Sequence, residues 1–160
     1  MTSITTEEHE ADHGGETFGI NAGMNDAWVN AGADKQGMFI TVYPDLKILF
    51  LAWFTFDTVP PAMGTQATFG SADQRWATAV GSYSGSTAQL NAELTSGGLF
   101  NSSEPLPNQD THYGTINLDF KNCNQAVVDF DFPSVGESGQ FTINRALEEN
   151  AALCEVLNTQ

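Results

Sequence analysis

Nucleophilic catalysis needs a nucleophile, a base and a group that orients the base, and the base is most often histidine. The chain holds three histidines. His9 and His13 stand at i, i+4 among Glu8, Glu10 and Asp12, a spacing that on a helix gives a weak transition-metal site, but nothing else in that stretch would hold the geometry. His112 lies beside Asp110 and Tyr113 and reads first as a surface histidine at the mouth of a strand. There is no G-x-S-x-G elbow, and neither Cys123 nor Cys154 has the context of a nucleophile. If the chain is an enzyme, it is a small barrel enzyme working on an apolar substrate, with Tyr43, Asp57 and His112 as the participants available.

Carboxylates offer a second route. Asp129 and Asp131 alternate with Val128, Phe130 and Phe132 and so point away from a core, with Asp119 on the neighbouring strand. Like charges on adjacent strands call for solvent or a bridging cation, which makes the three a weak Ca²⁺ candidate beside the plainer reading of a solvated acidic face. Dinucleotide, P-loop, zinc and EF-hand patterns are absent, so no cofactor is implied. The aromatic residues say more. Aromatic planes with a few amides are what small apolar ligands and sugar faces require, and Tyr43, Trp53, Trp76 and Tyr83 are the candidates for a ligand site at a barrel mouth. Core packing is the alternative for each of them.

The elements that would position these residues centre on 37–57, GMFITVYPDLKILFLAWFTFD, an apolar hairpin folded about Tyr43-Pro44-Asp45-Leu46. Its second arm has Ile48, Phe50, Ala52, Phe54 and Phe56 on one face and Leu49, Leu51, Trp53 and Thr55 on the other. The first face is assigned to the interior. The second then has to be covered, by a C-terminal helix or the loop from Thr58 to Gln74 in a monomer or by a second copy in a two-fold dimer, and the helix is the preferred cover.

Residues 1–19 are polar and acidic and read as a mobile arm; 20–160 read as one domain. A short strand surrounds Ala27-Trp28-Val29. A long connection, Thr58 to Gln74, leads to the alternating runs Trp76 to Tyr83 and Thr87 to Thr95, with Ala88, Leu90, Ala92 and Leu94 facing inward. The connection holds a brief extended piece at Ala67 to Phe69. A second loop, Ser96 to Thr111, carries the sequon Asn101-Ser102-Ser103. Strands at Tyr113 to Asn122, Ala126 to Phe132 and Gly139 to Leu147 follow, with Ile116, Leu118 and Phe120, then Val128, Phe130 and Phe132, then Phe141, Ile143 and Arg145 inward. A short helix, Glu148 to Leu157, ends the chain with Leu147, Ala151, Leu153 or Cys154, and Leu157 on its apolar side. Eight strands joined by sequence-adjacent hairpins, with no crossover helices, predict an all-β, antiparallel up-and-down barrel; a β-sandwich is the alternative.

Twenty acidic against five basic residues, a formal charge of -15, exclude an electrostatic partnership with nucleic acid or an anionic membrane. No apolar run reaches the roughly 20 residues of a membrane-spanning helix, so no membrane insertion is expected. The N-terminus has no basic start or apolar core, so no signal peptide is expected in this stretch. Its two cysteines predict a Cys123–Cys154 disulfide, which clamps the terminal helix to the barrel and implies an oxidising compartment; two buried free thiols are the alternative.

Two resemblances extend this reading. NDAWVN on the first strand and INRAL on the last are similar to the calycin pattern of lipocalins and avidins, in which a Trp opening the barrel is crossed by an Arg from the closing strand; Trp28 and Arg145 take those places, and Asp26 stands where the pattern has Gly. That resemblance implies a barrel closed at one end and open to a ligand at the other. The span from Ile20 to Leu157, with NDAW, QGMFITVYPDLK, LAWFTFDT, DQRW, LTSGGLF and NRALEENAALCEVL, resembles an uncharacterised domain of secreted bacterial proteins, which implies a secreted or cell-surface setting. Together these lead to a non-catalytic extracellular barrel, a binding or accessory module for a small apolar or glycan-like ligand. The alternatives are the small barrel enzyme and a purely structural, self-associating domain.

Overall fold

The computed structural model describes residues 18–66 and 74–159. The His9 and His13 pair and the piece at 67–69 lie outside these residues. Eight strands close into an antiparallel barrel in sequence order: β1 Asp26–Asn30, β2 Gly37–Tyr43, β3 Ile48–Phe56, β4 Gln74–Ser84, β5 Thr87–Ser96, β6 Asn108–Asn122, β7 Gln125–Phe132 and β8 Glu137–Arg145. β8 returns to pair with β1, Trp28 opposite Arg145, so the sheet has no free edge. Among the described residues the one α-helix is short, α1 Ala152–Leu157, entered through a 3-10 turn at Glu148–Ala151. No helix among the described residues is long and apolar enough to cross a membrane.

The interior follows the alternation on β5, β7 and β8 as the sequence predicts, but β3 is turned the other way. Leu49, Leu51 and Trp53 are buried, while Phe54 and Phe56 face out. The register supplies the reason. Leu49, Leu51 and Trp53 pair with Gly81, Ala79 and Ala77 on β4, small residues that leave interior room for large neighbours. The opposite assignment would set Phe54 against Trp76 and Phe50 against Val80 inside a barrel whose bore just holds its side chains. β4 also passes close to β5: a Cβ on Gly81 would collide with the carbonyl of Gln89.

The terminal helix therefore does not cover the outside of β3. It sits across the end of the barrel where β1 begins, against a 3-10 turn at Ala22–Met24. There the Cys154 backbone lies so near Gly23 that a Cβ at 23 would overlap it. Of its expected apolar side, Ala151 and Cys154 are covered, whereas Leu147, Leu153 and Leu157 are exposed. The predicted disulfide holds it in place, joining Cys123 in the β6–β7 turn to Cys154. Just before the barrel, Phe18 packs against the core and the Gly19 N–H donates to Asn158 Oδ1 at 2.7 Å, so these two residues are part of the packed unit.

Candidate functional site

A meander barrel has two ends, and strand direction decides which residues meet at each. The start of β1, the ends of β2, β4, β6 and β8 and the starts of β3, β5 and β7 share one end. This end is sealed. Trp28, 1 % exposed, fills it, its indole N–H donating to the Met24 carbonyl at 3.1 Å and its ring meeting Phe120 edge-on. The guanidinium of Arg145 lies 4.8 Å from the Trp28 ring centre, the stacking expected of the pair. From there it donates to the carbonyls of Cys123 and Gly23, each at 2.8 Å, and to the Asp26 carboxylate at 2.7 Å. Burial alone would push the Asp26 carboxyl up, but hydrogen bonds from Arg145, Asn150 and the Ala27 N–H, with the charge of Arg145, hold it below its ordinary value. Arg145 is thus committed to tying together β8, the β6–β7 turn and the N-terminal turn.

The other end is open. A cavity of about 540 Å³ enters there, walled by Trp53, Ala77, Leu94, Tyr113, Phe130 and Phe132, with Gln36, Thr55, Phe56, Asp57, Thr58, Trp76, Val135 and Glu137 completing its lining. Trp53 forms much of its aromatic framework. Its ring contacts Phe130 at 5.4 Å, Phe132 at 5.9 Å and Phe141 at 5.3 Å between centres, and Tyr113 packs against Phe132 at 5.2 Å. Among the polar lining groups, the Thr55 hydroxyl donates to Gln36 Oε1 at 2.6 Å. Trp53 is 7 % exposed, and its indole N–H has no acceptor.

Of the four ligand candidates, Trp53 and Trp76 line this cavity and Tyr43 and Tyr83 do not. Tyr43 ends β2 and Tyr83 comes near the end of β4, which places both at the sealed end. Tyr43 is exposed there; Tyr83 is buried, with Lys47 Nζ 5.4 Å from its ring centre. Burial, helped by the charge of Asp45, pushes the Tyr83 phenol above its ordinary value. The three residues considered for catalysis are likewise dispersed. Asp57 lines the cavity, Tyr43 is at the opposite end, and His112 is exposed on β6, its Nδ1 3.0 Å from the Thr111 hydroxyl, outside the lining.

Asp119, Asp129 and Asp131 lie on the outer surface, where they pair across strands with Val127, Asn117 and Thr115 rather than with one another. Lys121 bonds Asp119. Among the described residues no group of three or more His, Cys, Asp or Glu is placed to hold a metal ion, so the Ca²⁺ grouping is not assembled.

Tyr113 belongs to the site because of a bulge. Ala92 pairs with Gly114 but Leu94 pairs with Asp110, so β6 spends two extra residues there and its alternation breaks at Tyr113. No family model, curated protein or solved structure matches the chain.

Proposed function

We propose that the protein is a non-catalytic extracellular binding barrel that takes a small, mainly apolar ligand into its open end. The observation that carries this reading is the aromatic cavity around Trp53, opposite an end closed by Trp28, Arg145 and a disulfide-tethered helix. Its volume falls in the range of about 300 to 1,000 Å³ usual for small-molecule sites, and its composition, apolar walls with few polar groups, is of the same kind. The separation of Tyr43 and His112 from Asp57 weighs against the enzyme alternative, because acid–base partners must reach one reacting atom. The scarcity of free amides weighs against a glycan, since Gln36 Oε1 is already engaged by Thr55. The disulfide fits an extracellular setting, and the arrangement of Trp28 and Arg145 is in keeping with the calycin resemblance.

Native mass spectrometry of the purified protein tests the proposal, with Leu94→Trp as the cavity-filling comparison. A ligand released on unfolding, or a neutral dye bound by the parent and lost from a folded Leu94→Trp, is the expected result. A folded parent that takes neither would overturn it.

One observation favours a second reading, association with another copy. Because β3 is turned, Phe39 and Phe54 lie on the outer face, about half exposed, beside Trp76 at the rim of the cavity, Phe39 edge-on to Phe54 and Phe54 paired in register with Trp76. Contiguous apolar surface of this sort is uncommon on soluble monomers. Sedimentation of the parent beside Phe39→Ser separates the two readings: a dimer that Phe39→Ser dissociates supports association, and a monomer at high micromolar concentration rules it out.

A further inference from the structure

Exposure of large apolar side chains is shared unevenly between the two ends of the barrel. Among the described residues six such side chains are more than 60 % exposed: Leu46, Val59, Met63, Leu99, Phe100 and Leu106. Leu46 lies in the β2–β3 turn, at the sealed end. The other five sit on the β3–β4 and β5–β6 connections, both of which leave the open end. The first connection starts from the cavity lining itself, at Asp57 and Thr58. Both stand clear of the barrel, since a Cβ added at Gly64 or Gly97 would meet no atom within 4 Å. Met63 is fully exposed, and Phe100 and Leu106 are each 77 % exposed. Leaving such side chains in water forgoes the gain of burying them, and a group of them around a binding mouth marks a surface that docks.

We propose that these loop tips dock the open end on an uncharged lipid surface, a zwitterionic phospholipid bilayer, entering its interface without crossing it. Shape favours lipid over protein. A protein partner needs roughly 800 Å² of complementary surface on each side. The tips stand on two separate loops, each so exposed that little of it packs on its neighbours, and a bilayer interface takes separate apolar groups without a matched contour. Charge decides which lipid. Residues 57–66 and 97–107 contain no Lys or Arg and carry Asp57 and Glu104, in a protein of formal charge -15, so anionic headgroups would repel this end. Docking sets the cavity mouth against the hydrocarbon, where a small apolar ligand concentrates. That last step rests on the binding function proposed above; the docking itself does not.

Flotation with phosphatidylcholine vesicles, without any cavity ligand, tests the proposal on the parent, Met63→Ser, Phe100→Ser and Leu46→Ser. All three positions are exposed, so the variants should keep the circular dichroism of the parent. The expected result is association of the parent that survives high salt. It should weaken about tenfold in Met63→Ser and in Phe100→Ser and stay unchanged in Leu46→Ser. No association, an equal loss in Leu46→Ser, or association that requires anionic lipid would overturn the proposal. So would a lipid-free dimer, seen by sedimentation, that Met63→Ser dissociates, because the tips would then meet a second copy. Failure here leaves the binding cavity standing, and vesicle association by a protein that binds no ligand would leave the docking standing.

Discussion

Replacing Arg145 by Met keeps most of the side chain's length and apolar volume while removing every interaction of the guanidinium. The parent side chain is fully buried and makes three hydrogen bonds, to Asp26 at 2.7 Å and to the carbonyls of Gly23 and Cys123 at 2.8 Å, besides lying on the Trp28 ring. In the variant Asp26 still accepts from Asn150 and from the Ala27 N–H, but the two carbonyls lose these donors. Removing one partner of a buried ion pair costs about 3 to 5 kcal/mol, and the stacking contributes about 0.5 to 2 kcal/mol where desolvated. These terms overlap, so a total near 4 kcal/mol is expected by that reckoning. Urea unfolding measures it, read by circular dichroism so that the change expected in Trp28 emission does not enter the fit. The cost should be smaller in an Asp26→Asn background, because the carboxylate would no longer be left behind. Ligand affinity of the folded variant should equal that of the parent, since the cavity is at the other end. A loss below about 1 kcal/mol, the value of an exposed pair, would refute the reasoning that Arg145 holds the sealed end together.

Three further outcomes follow from the same geometry. Unfolding without reductant should expose no reactive thiol, and removing the disulfide, which spans 31 residues, should cost about 3 to 4 kcal/mol in the chain-entropy description, measured by urea unfolding of Cys123→Ser/Cys154→Ser. Because Asp26 is held below its ordinary value of 3.8, its contribution to stability is present above that pH and is lost as pH falls through the lowered folded value; acid unfolding of Asp26→Asn should lack that segment. Tyr83 is raised above 10.0, so its contribution is present below that pH and declines as pH rises through the raised folded value. Tyr83→Phe should remove this alkaline decline and, because the hydroxyl has no partner, leave neutral-pH stability equal or higher by about 1 kcal/mol; a loss of that size would mean the hydroxyl is bonded.

The strand meander was legible because alternation with a period of two is a local property of each strand. β5 and β8 carry apolar residues on one face only, β7 has Val127 alone among polar residues on its outer face, and their inward residues follow directly. β3 carries them on both, so its own sequence cannot say which face is inside; the answer sits on β4, where Ala77, Ala79 and Gly81 leave the space. The placement of Tyr43 and Tyr83 beside Trp76 in one site overlooked strand direction. In a meander the end of β2 and the start of β4 lie at opposite ends, a deduction available once the hairpins were counted, which also brings Phe130 and Phe132 to the mouth with Trp53. Tyr113 was less accessible. Ile116, Leu118 and Phe120 point it outward by simple alternation, and the bulge that brings it into the lining depends on pairing with β5 rather than on β6 alone. The disulfide and the Trp28–Arg145 contact were legible, the first because only two cysteines exist and the second through a resemblance that names the pair.

The central claim, that the open end of the barrel binds a small apolar ligand, is tested most directly by mapping ¹H–¹⁵N backbone shifts while naphthalene, a purely apolar probe, is titrated into the parent protein. The account predicts saturable changes at Trp53, Thr55, Tyr113, Phe132 and Glu137, with Gly23, Cys123 and Arg145 unmoved. Changes confined to the outer face around Phe39 or to the sealed end, or no saturable change at all, would contradict it.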